Sequence, residues 1–217
     1  MPSSESSSAG SQDGGSPLPP KSPAPAPFVF DPNDKFYMAP PAAGLLHYRT
    51  AAMWAGVLEV LLMIGASFVM IHFYANVGLT GLYSAVVMLV FMSMAIISTA
   101  IMIYAIVAEK PNMMYPKTVG LKLTISMLLI GAAISISSMS AGIETTSRLF
   151  SPFVNVHMME DSLGPIWPFN LACVSFTGAA IAIWFHKLVD GCHEFLLDKK
   201  YFEARDNRSI EMSETKK

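Results

Sequence analysis

Four long apolar stretches dominate the chain, over residues 50–74, 82–107, 119–141 and 166–186, and charged side chains are almost absent from them. At ~1.5 Å of rise per residue, each is long enough as a helix to cross a ~30 Å hydrocarbon layer. The pattern predicts an all-α membrane protein: a four-transmembrane-helix bundle with cytosolic N- and C-termini. The connection over 75–81 is short, so the first two spans form an antiparallel hairpin. Pro111 and Pro116 interrupt the connection over 109–118 and discourage a continuous helix there. The longest connection, 142–165, is unusually apolar for a loop, with Leu149, Phe150, Phe153, Val154, Val156, Met158 and Met159. It either packs over the mouth of the bundle, lies in the membrane interface or offers a partner-binding surface.

Outside the spans the pattern changes twice. Residues 1–45 form a Pro/Ser-rich tail with too little apolar surface to offset the entropy of ordering, and are expected to be disordered. Pro17 and Pro20 have the spacing of an adaptor-binding PxxP, and Ser16-Pro17 and Ser22-Pro23 fit proline-directed phosphorylation. A solvated tail is the simpler reading. Phe28-Val29-Phe30 and Phe36-Tyr37 end the low complexity and either dock on the bundle or sit at the lipid interface. The transmembrane domain covers 46–188. Over 189–217 the last helix is expected to continue to about Ala204, leave the membrane and lie along it. Leu188, Cys192, Phe195 and Leu196 form its apolar stripe. Cys192 on that stripe is a candidate palmitoylation site, or else a reduced interfacial thiol.

Charge gives the orientation. Alternating the flanks across a membrane places 13 of the 14 Lys and Arg residues on one side, leaving Arg148 alone on the other. Cytosolic flanks collect Lys and Arg, so both termini are expected in the cytosol. Aromatic residues agree: Trp54, Tyr104 and Trp184 fall near one boundary, and Phe73, Tyr74, Tyr83 and Trp167 near the other. Hydrophobic residues make up 53% of the chain and charged residues 14%, which excludes an ordinary soluble domain. The lack of an apolar h-region in the tail argues against a cleavable signal, so the first span is expected to direct its own insertion. Neither cysteine, Cys173 nor Cys192, falls in an outer loop, and no disulfide is expected. That sets the chain apart from the cysteine-bearing loops of claudins, tetraspanins and connexins.

Glu59 is the residue most at odds with this pattern. It lies ~12 Å inside the first span at helical rise. An unpaired carboxylate there costs at least ~2.5–3.5 kcal/mol on insertion scales. It is therefore expected to face the bundle interior. There it is neutral and hydrogen-bonded to a serine, paired with Lys122 at the start of span three, or part of a proton or cation path. Lys122 can also snorkel to the headgroups, which weakens the pairing. The third span is rich in small residues, including Gly131, Ala132, Ser135 and Ser138. Pairs such as Gly131/Ser135 and Ser138/Gly142 favour tight packing of spans three and four over a polar pore. Asn170 is placed for an outer hydrogen-bond network, and the one sequon, Asn207-Arg208-Ser209, is cytosolic and expected to stay unmodified. His157, Glu160 and Asp161 are close in sequence but read as a solvated cluster rather than a metal site. There is no nucleophile–base constellation, phosphate-cradling glycine loop or metal-binding cysteine pair, so neither an enzyme nor a cofactor is expected. No basic, aromatic-interleaved stretch points to nucleic acid.

The plan of four spans, cytosolic ends, a short first outer loop and a longer second one resembles the MARVEL-type tetraspan proteins over about residues 48–187. The membrane-spanning four-domain proteins have a similar plan and a Pro-rich N-terminus. Glu59 in span one is similar in placement to the acid of small multidrug transporters, which lack the tail and outer loop. The first resemblance implies a non-enzymatic protein that organises membrane or vesicle components. Its expected partners are the lipid bilayer, other membrane proteins by lateral contact and a cytosolic adaptor at the N-terminal tail. The alternative is a small transporter or channel subunit using Glu59.

Overall fold

The computed structural model describes residues 31, 34–42, 44–78 and 80–214. Six α-helices follow one another: α1 (Tyr48–His72), α2 (Leu82–Val107), α3 (Tyr115–Ala141), α4 (Ile143–Phe150), α5 (Val156–Leu163) and α6 (Trp167–Glu214). Four of them, α1, α2, α3 and α6, are long and apolar enough to cross a membrane. Among the described residues there is no strand, only two isolated antiparallel bridges, Met38 with His47 and Thr80 with Val154. Residues 1–30, with the PxxP spacing, the Ser-Pro sites and Phe28-Val29-Phe30, lie outside the described residues.

Local chemistry sets the ends of the spans. His47 caps α1 by accepting the Arg49 N–H on Nδ1 at 3.1 Å. A π-type turn, Phe73–Val77, continues that helix until Gly78, whose φ of 68° turns the chain back. Helix α2 stops at Glu109, which adopts the left-handed conformation (φ 53°) without being glycine. Its neighbour Lys110 donates its N–H to the Ala105 carbonyl at 2.9 Å, and Pro111 follows. A 3₁₀ turn, Pro111–Met114, leads into α3, which starts at Tyr115 rather than at residue 119. Pro116 sits in the first turn of α3, where a missing N–H breaks no helical bond, so it begins the helix instead of preventing it.

The long spans form a closed ring, with α1 against α2, α2 against α3, α3 against α6 and α6 back against α1. The α3–α6 seam is the most extensive. Small residues make it, but not in the expected register. Ala132, Ser135 and Ser138 are fully buried on α3, opposite a face of α6 carrying Ala172, Ala179 and Ala182. A side chain on Gly131 or Gly142 would meet no atom within 4 Å, so neither lies at the close approach. Gly178 does, where a β-carbon would stand 3.4 Å from Leu128. Outward faces carry exposed Leu61, Phe68, Val90 and Ile97, the surface a lipid solvent requires.

Three further departures follow from packing. The connection over 142–165 folds into α4 and α5, the first ended at Ser151 and the second capped by the Asn155 side chain. Helix α6 continues unbroken for 48 residues, ~72 Å at helical rise, past the end expected near residue 204. Its apolar stripe has an intramolecular partner: residues 34–42 and 44–47 form a strap across it. Tyr37 packs edge-on against Phe195, as does His47. Ala39 is fully buried, and its N–H bonds the Leu46 carbonyl at 2.8 Å. Trp184 donates its indole N–H to the Pro41 carbonyl at 3.0 Å. Short helical turns are thus present before residue 46, at Lys35–Tyr37 and Pro40–Ala42. Of the aromatic pair in the strap, Tyr37 docks while Phe36 stays 75% exposed.

Candidate functional site

The intramembrane charge sits where three helices meet. At Gly56 of α1 a β-carbon would lie 2.6 Å from Cε of Met102 and 3.0 Å from Cγ2 of Thr99, so α1 and α2 touch almost backbone to side chain. Glu59 comes three residues later and shares that face of α1. Its carboxylate forms an ion pair with Nζ of Lys117, from the first turn of α3. The same ammonium donates to Oγ1 of Thr99 on α2 at 2.7 Å. The Lys117 side chain is 1% exposed and that of Glu59 13%, so the pair is sealed from solvent.

Physical chemistry makes the partners mutually necessary. A lysine in the first turn of a helix meets the positive end of the helix dipole, and its burial adds a desolvation cost. Only an adjacent carboxylate and a hydroxyl acceptor offset both. The carboxylate in turn lies at a depth where it needs a counter-charge. Together the three side chains tie α1, α2 and α3 with no net charge. As arranged, the group holds helices together. It offers no second carboxylate or chain of hydroxyls along which an ion would step.

Lys122, the counter-ion in one of the three readings of Glu59, is not that partner. It lies five residues beyond Lys117, ~140° away around the helix, and is exposed. Lys117 follows Pro116 at a span boundary, where its surroundings have the composition of a loop and do not single it out. Its helical spacing to the buried Gly120 and Leu121 was the available signal.

A second polar cluster ties the end of the bundle where the strap docks. Glu109 accepts Nζ of Lys199 at 2.5 Å, and Nη1 of Arg49 stands 3.8 Å from the same oxygen. Arg49 also donates to the Ile106 carbonyl at 3.3 Å. One carboxylate in a left-handed turn thus links the starts or ends of α1, α2 and the α6 extension. Beside it, the Tyr37 hydroxyl donates to Oδ2 of Asp198 at 3.2 Å. Burial, with the Asp198 charge behind it, pushes the Tyr37 phenol up to about 12.

The remaining candidates separate. Cys192 is fully buried in the stripe that the strap and α1 cover, so its thiol is not presented for palmitoylation. The stripe faces the strap and α1 rather than a membrane surface. Cys173 is exposed on α6. Among the described residues, no group of three or more His, Cys, Asp or Glu side chains is arranged to hold a metal ion. His157 instead lines an open cavity of about 320 Å³ with Gly78, Thr80 and Asn155. Asn170 is exposed.

The chain is 38% identical over 207 residues to protein cuti-1 of Caenorhabditis elegans, a match covering 90% of this chain and 96% of that protein. No family model matches the chain. No solved structure matches it.

Proposed function

The chain belongs to the family of protein cuti-1, and from that premise we propose that it is a non-enzymatic multi-pass membrane protein that organises other membrane components. Its four spans fit a tetraspan architecture, and the shared plan with MARVEL-type proteins supports the organising role by architecture alone. On this reading both termini lie in the cytosol. Lateral contacts with other membrane proteins use the apolar outer faces of the spans, and the N-terminal tail recruits a cytosolic adaptor.

The observation that carries the reading is the state of Glu59. Its counter-ion Lys117 is buried, fixed by Thr99 and drawn from a neighbouring span, which is the arrangement of a structural tie. A transport carboxylate needs a partner that releases it and a route to both sides. The packing beside it is closed by Thr99, Met102 and Leu121, all buried.

Reconstitution tests the reading. Proteoliposomes holding the full chain should show no proton or cation flux above empty vesicles, for the wild type and for Glu59→Gln alike. Flux in the wild type that Glu59→Gln abolishes would replace the organising role with transport. Affinity isolation from native membranes should recover membrane-protein partners, and tail deletion should reduce that set. A deletion that leaves partners and localisation unchanged counts against the adaptor role.

A further inference from the structure

Helix α3 has a notch where α6 and α4 do not follow it. Gly131 leaves open space, and beside it Ile134 of α3 and Leu171 and Ser175 of α6 bound a groove of about 410 Å³. Phe150 and Phe153 line it as well, with Phe150 fixed edge-on against the buried Trp167 at 5.2 Å. Ten residues separate Gly131 from the end of α3 and eight separate Ser175 from the start of α6, depths of ~15 and ~12 Å. The groove therefore runs from the α4 level to about the middle of a ~30 Å hydrocarbon layer, the depth of one leaflet.

We propose that this groove holds one acyl chain of a zwitterionic phospholipid, whose headgroup rests on the Glu144–Arg148 pair of α4. Three observations single out that occupant. Water does not suit the groove, because a buried water needs two to four polar partners and the lining supplies one hydroxyl, from Ser175. An empty groove forfeits dispersion contacts along its whole length. A helix of a second chain, ~10 Å across, is too wide to enter and can only lie over the mouth. A single hydrocarbon chain is the component of the surrounding solvent that fits.

The headgroup assignment rests on charge complementarity. Arg148 is the one Lys or Arg among residues 123–186, and it directly precedes Leu149, which also lines the groove. Its guanidinium bonds Glu144 at 2.7 Å, with the two side chains 79% and 82% exposed. An exposed pair one helical turn apart gains little from itself, so both groups remain available. A phosphate meets Arg148 and a quaternary or primary ammonium meets Glu144, and neither charge of the pair is left over. The lone basic residue on this side of the chain thereby acquires a ligand.

The test uses the full chain reconstituted in phosphatidylcholine vesicles containing a trace of phosphatidylcholine with a mid-chain photoactivatable group, followed by mapping of labelled peptides. Label is expected on α3 around Gly131 and Ile134 and on α6 around Leu171 and Ser175. Gly131→Leu fills the notch and should lower that labelling several-fold. Gly65→Leu, a matched change at another glycine with open space, should leave it unchanged. Equal labelling in Gly131→Leu, or label spread evenly over the lipid-facing surface, would each overturn the acyl-chain site. A diacylglycerol carrying the same photoactivatable chain separates the headgroup contribution. Phosphatidylcholine should label more strongly, and the double change Glu144→Gln/Arg148→Gln should remove that preference. Equal labelling by the two probes in the wild type would overturn the headgroup contact.

Discussion

Lys117 is kept buried against the helix dipole and its own desolvation by two side chains from two other helices, Glu59 and Thr99. At the residue scale the bundle depends on such close fits. Gly191 of α6 is the tightest. A β-carbon there would stand 2.2–2.6 Å from three atoms of the Tyr48 ring, so the crossing of α1 over α6 exists only because the position is glycine. Gly191→Ala is expected to cost about 1–3 kcal/mol through overpacking, read as a lower midpoint of thermal unfolding in detergent. Tyr48→Ala in the same chain should recover part of the loss, since it removes the ring that the methyl strikes. No recovery would mean that the backbone, not the ring, sets the crossing. None of these fits was legible in the sequence. Glu59 stood out because it is a charge among apolar residues, but Lys117 did not, because a lysine beside a proline at a span boundary has the composition of a loop. Gly191 is one glycine among 14, and composition does not say which one a ring lies against.

At the scale of elements, the strap (residues 34–42 and 44–47) and the α6 extension are one unit, and its behaviour with pH follows from Tyr37. The phenol is raised to about 12 by burial and by Asp198, so the folded state favours the neutral hydroxyl. A group whose pKa is raised on docking contributes stability that is complete below its ordinary value near 10 and is lost as pH climbs towards 12. The strap should stay docked at neutral pH and release between about pH 10 and 12. Trp184 reports this directly, because its indole bonds the Pro41 carbonyl, and its emission should shift as the strap leaves. Tyr37→Phe should shift the transition out of that window. An unchanged transition in Tyr37→Phe would place the strap's control elsewhere. The apolar stripe of α6 was readable from its i, i+4, i+7, i+8 period, but a stripe announces a buried face without naming what buries it. The strap that does so is hidden in Pro- and Ala-rich sequence, where Ala39 carries no signal of its own burial.

At the scale of the whole molecule, the four apolar runs specified the bundle before any coordinate did, because a bilayer leaves few alternatives to helices that satisfy their own backbone. The ring order and the α3–α6 seam were only partly legible: the small residues were evident, but the register that buries Ala132, Ser135 and Ser138 rather than Gly131 depends on helix rotation. The 13-to-1 division of basic residues leads to a topology experiment. Epitope tags at either terminus should be protected from protease added outside intact cells and cleaved after permeabilisation. External cleavage of either tag would contradict two cytosolic ends. Integrity of the bundle rests on Glu59 and Lys117 acting as one neutral tie. The most direct test is a double-mutant cycle on unfolding stability in detergent, using Glu59→Met, Lys117→Met and the two together. Each single change strands one buried charge and should cost about 3–5 kcal/mol, while the double change should return close to wild type. Losses that add in the double variant would contradict the tie and leave Glu59 needing another role.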